Sequence, residues 1–217
     1  MKKIAKQLLL VATAVMFFLV GMSSVTTAAT NPYTDVKASS YYYTAVVTLT
    51  ADKIITGKSN SQFGVDAKVT RAETAQYIAN ALQLNTKNVK DPGFKDVPKT
   101  HPNYGAIAAL ANKGIINGVG SNKFAPNQTL ERYQIAKIIT LAFDLTLTKN
   151  KQSNFKDLSK LSANLQSYVH TLVAHGITNG TSVTTFSPYS AVKKQDLALL
   201  IYRAIDMTED LIVVDID

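Results

Sequence analysis

The chain of 217 residues contains no cysteine, no tryptophan and only three histidines, His101, His170 and His175. The absence of cysteine excludes disulfides, thiolate zinc sites and cysteine nucleophiles together. Three histidines leave few ligands for a transition metal. His170 and His175 lie five apart on one predicted helix, so they do not share a face, and they read as surface or packing residues. No Gly-x-Ser-x-Gly elbow occurs. The acids sit in loops and in the C-terminal tail rather than as the rigid pair a glycosidase needs. No catalytic constellation, metal or cofactor is therefore expected, and the chain does not read as an enzyme. Charged residues are sparse at 18% while hydrophobic residues make up 46%, which is the composition of a folding chain.

Only one long apolar run is present, and it is N-terminal. Lys2, Lys3 and Lys6 form a positive head, Leu8 to Met22 carries no charge, and Ser23 to Ala29 is small and polar. That is the pattern of a secretory signal peptide over residues 1–29, with cleavage after Ala28 or Ala29. The run is short for a membrane span, which needs about 20 apolar residues. Without those three lysines the formal charge of +8 falls to +5. An exported, mildly basic chain does not read as a nucleic-acid binder.

What the remainder has in abundance is repetition. Tyr33-Thr34-Asp35-Val36 recurs as Phe94-Lys95-Asp96-Val97 and as Phe155-Lys156-Asp157-Leu158. Ile54-Ile55-Thr56-Gly57 recurs as Ile115-Ile116-Asn117-Gly118 and as Ile177-Thr178-Asn179-Gly180. Phe63, Phe124 and Phe186 each follow that glycine by six, and Arg71, Arg132 and Lys194 each follow that phenylalanine by eight. The expected organisation is repeat 1 over 30–87, repeat 2 over 88–150, repeat 3 over 151–207 and an acidic tail over 208–217. The tail reads as a strand-like segment or a stub.

Each repeat reads as helix, loop, helix. Val46 and Leu49, with Ile107 and Leu110 and with Val169 and Leu172, give an i, i+3 apolar stripe on the first helix. Ala75 and Ile78, with Ala136 and Ile139 and with Ala198 and Ile201, give a second stripe whose small member permits close approach. Gly57, Gly118 and Gly180 are assigned to loop positions with positive φ. Pro126 and Pro188 are expected to hold the residue before them extended. One helical hairpin of this size cannot bury its own stripes, so an all-helical assembly of three repeats is expected, closed about a pseudo-threefold axis with a groove between neighbours. An open stack is the alternative.

Thr70-Arg71-Ala72-Glu73 opens the second helix of repeat 1. Thr70 at N-cap and Glu73 at N3 read as a capping box. Arg71 opposes the helix macrodipole there. Together with free N–H groups it suggests an anion site, in which a carboxylate could be gripped in fork fashion. Repeat 2 reads Glu131-Arg132-Tyr133-Gln134, with an acid beside its cation. Repeat 3 reads Lys193-Lys194-Gln195-Asp196, with a point charge in place of the fork. Three unequal sites are expected, Arg71 foremost. Asp35, Asp96 and Asp157 read either as loop-capping residues or as sugar contacts. Tyr41-Tyr42-Tyr43 reads either as a sugar-stacking surface or as a helix start.

The combination Phe-x-Asp-Val, Gly-Ile-Ile-x-Gly, Phe-x-Pro and Thr-Arg-Ala-Glu resembles the S-layer homology family, three consecutive domains of it covering residues 31–207. The resemblance implies a three-pronged pseudo-trimer on the surface of a Gram-positive-type bacterium. It implies non-covalent binding of secondary cell-wall polysaccharide, often through a ketal-linked pyruvate on N-acetylmannosamine. The implied glycan-binding residues are Arg71, Arg132 and Lys194, with Asp35, Asp96, Asp157, Gly57, Gly118 and Gly180 of the repeated motifs. Other surface-layer proteins are the alternative partner class, with the triplet acting as a scaffold.

Overall fold

The computed structural model describes residues 29–148 and 153–214. Residues 1–28 of the expected signal peptide and the last three residues of the tail lie outside the described residues. The described chain is helical: α1 Tyr43–Ala51, α2 Arg71–Ala81, α3 Tyr104–Asn112, α4 Arg132–Ala142, α5 Ala163–Ala174 and α6 Lys194–Val214. No strand forms among the described residues, only isolated bridges such as Thr70 with Thr129 and Glu131 with Ala191. No described helix is long and apolar enough to cross a membrane. The tail is not strand-like: α6 runs through the expected repeat boundary at 207 to Val214.

The helices of one repeat do not pair with each other. The second helix of each repeat packs against the first helix of the next: α2 on α3, α4 on α5, and α6 back on α1. This corrects the helical-hairpin reading. The stripes Val46–Leu49, Ile107–Leu110 and Val169–Leu172 are all buried, but against a neighbour's helix. α6 also packs on α2 and α4, and Ala75, Ala136 and Ala198, each buried, provide the small side chains that close approach needs. Because α6 returns to α1, the assembly is closed rather than an open stack.

The closure has a backbone signature. Val69 N–H donates to Val192 O at 3.0 Å, Val192 N–H to Leu130 O at 2.9 Å, and Leu130 N–H to Val69 O at 3.4 Å. These three residues occupy the same place in each repeat and all are buried. The cyclic set places the pseudo-threefold axis among them.

The loop inside each repeat is built on an aromatic pair: Tyr33 with Phe63 at 5.4 Å between centroids, Phe94 with Phe124 at 5.3 Å, and Phe155 with Phe186 at 5.7 Å. This pair explains the repeated glycine. A Cβ at Gly118 would lie 2.6 Å from Lys123 O and 2.8 Å from the Phe94 ring, and one at Gly57 would meet the Tyr33 ring and Gln62 O. Close approach, not φ, requires glycine at these two positions. Only Gly180 also has positive φ, at 79°.

The left-handed residue lies elsewhere, just after the phenylalanine: Gly64 at φ 80°, Ala125 at 57° and Ser187 at 58°. Ala125 and Ser187 precede prolines and were expected to be extended. Their N–H groups are instead drawn to a carboxylate. Asp96 accepts from Phe124 N–H and Ala125 N–H, both at 2.8 Å, and Asp157 accepts from Phe186 N–H and Ser187 N–H at 3.0 and 2.7 Å. Asp35 accepts from Phe63, Gly64 and Val65 N–H at 2.7, 2.7 and 3.2 Å.

Candidate functional site: three grooves between repeats

The N-termini of α2, α4 and α6 are where the repeats meet. Thr70 is the N-cap of α2: its Oγ1 accepts from Glu73 N–H at 3.1 Å, and Glu73 Oε2 accepts from Thr70 N–H at 2.9 Å. In α4 the reach-back is made by Gln134, whose Oε1 accepts from Glu131 N–H at 2.9 Å. The N–H groups of the first two helical residues are not free. Arg71 and Ala72 donate to Gln128 O and Pro126 O, Arg132 and Tyr133 to Ser190 O and Pro188 O, and Lys194 and Gln195 to Ala67 O and Val65 O. The neighbouring loop thus occupies each helix N-terminus, which corrects the expectation of free donors there.

The three cations follow the same cyclic rule. Arg71 Nε donates to Phe124 O at 2.7 Å and its Nη2 to Asn117 O, while the guanidinium lies 4.4 Å from the centroid of Phe124. Arg132 Nε donates to Phe186 O at 2.7 Å, with the guanidinium 4.7 Å from that ring centroid. Lys194 Nζ lies 5.1 Å from the Phe63 ring centroid. Each cation therefore clamps the loop of the next repeat and closes the ring of repeats. Arg71 is only 6% exposed and Lys194 only 5%. Burial pushes the pKa of all three down; the carboxylates of Asp96 at Arg71, Asp196 at Arg132, and Glu73 and Asp35 at Lys194 oppose it.

Beside each clamp is a groove that brings all three repeats together. The Arg71 groove, about 280 Å³, is lined by Asn117, Gly118 and Val119 of the repeat 2 loop, by Tyr133, Gln134 and Lys137 of α4, and by Leu165 of repeat 3. The Arg132 groove, about 420 Å³, is lined by Asn179 and Gly180, by Asp196, Leu199 and Arg203 of α6, and by Tyr41 of repeat 1. The Lys194 groove, about 440 Å³, is lined by Gly57 and Lys58, by Glu73, Gln76 and Tyr77 of α2, and by Asn103 of repeat 2. A fourth cavity, about 480 Å³, lies apart from the clamps, near Asp52, Tyr202 and Asp206.

The grooves share a plan but not a charge. The Arg71 groove has a second cation, Lys137, and no acid among its lining residues. In the Arg132 groove Asp196 lines the wall together with Arg132, whose charge it supports, and with Arg203, whose Nη1 donates to Ile177 O at 3.2 Å. Tyr41 Oη donates to Asp196 Oδ1 at 2.7 Å and accepts from Gln195 Nε2 at 3.1 Å. Burial, with the Asp196 carboxylate beside it, pushes the Tyr41 pKa up to about 12. In the Lys194 groove the carboxylate of Glu73 lines the wall together with Lys194 and two further cations, Lys58 and Lys68, so what sets the Arg71 groove apart is its lack of a lining acid rather than its number of cations.

The sequence-predicted residues divide accordingly. Arg71, Arg132, Lys194, Gly57, Gly118 and Gly180 all line grooves. Asp35, Asp96 and Asp157 do not; each holds its loop's N–H groups from within its own repeat. Burial disfavours ionised Asp35 and Asp96, but the backbone donors outweigh it and hold both pKa values below the ordinary 3.8. Lys137 and Arg203 were missed. Neither belongs to a repeated motif: Lys137 has Gln76 and Leu199 as counterparts, and Arg203 has Asn80 and Leu141. Of the tyrosine run, Tyr41 is exposed at a groove and Tyr43 begins α1.

The S-layer homology domain matches the chain three times, at residues 32–75, 93–136 and 154–198. The chain is 35% identical over 78% of its length to the surface-layer 125 kDa protein of Lysinibacillus sphaericus. It is 34% identical over 95% of its length to a cell surface protein of Thermoanaerobacter kivui. It is 30% identical over 83% of its length to an endoglucanase of Bacillus sp. (strain KSM-635). It spans only 14%, 25% and 20% of those proteins' lengths. The three matched segments end at the second helices that carry the clamping cations, and on that ground the chain belongs to the S-layer homology family, with three consecutive domains.

Proposed function

We propose that this chain acts at the bacterial cell surface by gripping an anionic cell-wall polysaccharide non-covalently in the grooves between its repeats. The Arg71 groove is the principal site, and a ketal-linked pyruvate on a wall sugar is the anion it takes. The observation that carries this reading is the pairing of Arg71 with Lys137 in a groove lined by no acid. The Arg132 and Lys194 grooves each contain a carboxylate, Asp196 or Glu73, that opposes an incoming anion. Two of Arg71's five N–H donors are committed to loop carbonyls in the described contacts, which pre-orients the guanidinium for a further acceptor. The family relationship and the surface-layer relatives support a role at the wall.

The test is titration calorimetry with purified wall polysaccharide, native and with its pyruvate removed. The native glycan binds and the depyruvylated glycan does not. Lys137→Ala weakens binding by roughly fivefold to tenfold, the loss of one half-buried charge-assisted contact. Equal binding of both glycans would overturn the reading.

A further inference from the structure

We infer that the Arg71 groove has a second subsite, an aromatic rim formed by Tyr133 and Tyr189 that stacks on a neutral sugar ring next to the anionic one. This rests on the proposed function and extends it from one charged group to a stretch of glycan. Tyr133 of α4 lines the groove, and its N–H is held by Pro188 O at 3.1 Å. That bond brings the repeat 3 loop alongside, and the rings of Tyr133 and Tyr189 meet edge to face at 5.8 Å between centroids and 65° between planes. An edge-to-face pair uses only one of its four ring faces, so faces stay open beside the groove. Tyr189 is 48% exposed, one of the few large hydrophobic side chains left so open.

The comparison within the molecule makes this specific. The counterparts of Tyr133 are Ala72 and Gln195, and those of Tyr189 are Asp66 and Asn127. The Lys194 groove therefore has Ala72 and Asn127 in this register, and the Arg132 groove has Gln195 and Asp66. Asp66 is moreover tied to Lys193 at 2.7 Å. The groove without an acid is also the one with an aromatic rim at this register. A pyranose presents polarised C–H groups on its faces, which fit an aromatic face. A ketal pyruvate occupies cations, not rings, so the two subsites read different parts of one chain.

The test compares the wall polysaccharide with its single pyruvylated monosaccharide, using Tyr189 variants of the full chain. Tyr189→Ala and Tyr189→Leu should weaken polysaccharide binding about fivefold and leave monosaccharide binding unchanged. Tyr189→Trp should retain it. Since the chain has no tryptophan, that variant has a single indole, whose emission should shift with polysaccharide and not with monosaccharide. If Tyr189→Leu binds polysaccharide like the parent, the ring face has no role and the rim is overturned, whatever Tyr189→Ala does. Lys137→Ala separates the two claims. If it weakens both ligands while the Tyr189 variants weaken neither, only the rim fails. If it weakens neither, the groove itself is not the site.

Discussion

At the residue scale the repeated cation was legible and its partners were not. Recurrence at Arg71, Arg132 and Lys194 marked the position, but the acceptors, Phe124 O, Asn117 O and Phe186 O, belong to the following repeat, and no local pattern connects them. Arg71→Ala would leave two loop carbonyls short of a donor and remove a cation–π contact, a cost of about 2–4 kcal/mol. Its melting temperature should fall by roughly 5–15 °C. Lys137, which clamps nothing, is the cleaner probe of binding. The left-handed residue after each phenylalanine was likewise hidden, because repeat 1 has glycine there and the others have Ala125 and Ser187. Ala125→Gly should stabilise by about 0.5–1 kcal/mol, as relief of αL strain outweighs the added freedom of the unfolded chain. Chemical denaturation measures it, and a destabilised variant would refute the strain argument. Asp35 and Asp96 make a pH prediction. Their folded pKa values lie below 3.8, so their contribution is complete above that value and is lost as pH falls through the folded values. Melting temperatures should hold from neutral pH to about 4 and drop below it, and Asp96→Asn should flatten that drop.

At the element scale, periodicity showed which face of each helix is apolar but not what covers it. The stripe on α3 fits the stripe on α4 as well as that on α2, and only three-dimensional closure selects α2. The long intra-repeat loop decides the matter physically. It has its own core, Phe124 against Phe94 with Asp96 beneath, so it stands between α3 and α4 as a packed unit rather than a short turn. The helix caps were local and therefore readable: Thr70 and Glu73 sit three residues apart in one chain segment. Glu73→Ala should cost about 1 kcal/mol of stability, as loss of a cap does. It should also remove the acid from the Lys194 groove, so anion affinity there should rise rather than fall. Calorimetric stoichiometry alongside thermal melts reads both effects.

At the scale of the whole molecule, closure changes what a repeat is. In an open solenoid a terminal repeat can be removed and the others remain folded, because each touches only its neighbours. Here α6 packs on α1, and Val192 completes the hydrogen-bonded ring with Val69 and Leu130. Removing residues 151–217 would strip α1 and α4 of their partner helices, leave the Val69 N–H without its acceptor, and remove the cation at Phe63. The losses at α1, Val69 and Phe63 all fall on repeat 1, at the far end of the sequence from the cut, and the loss at α4 falls on repeat 2. The truncated chain 29–150 should therefore show no cooperative urea transition, whereas the chain containing all three repeats should show a single one. A cooperative transition in 29–150 with the helix content of two intact repeats would mean that the α6–α1 contact is incidental and that the grooves, each built from all three repeats, do not depend on closure.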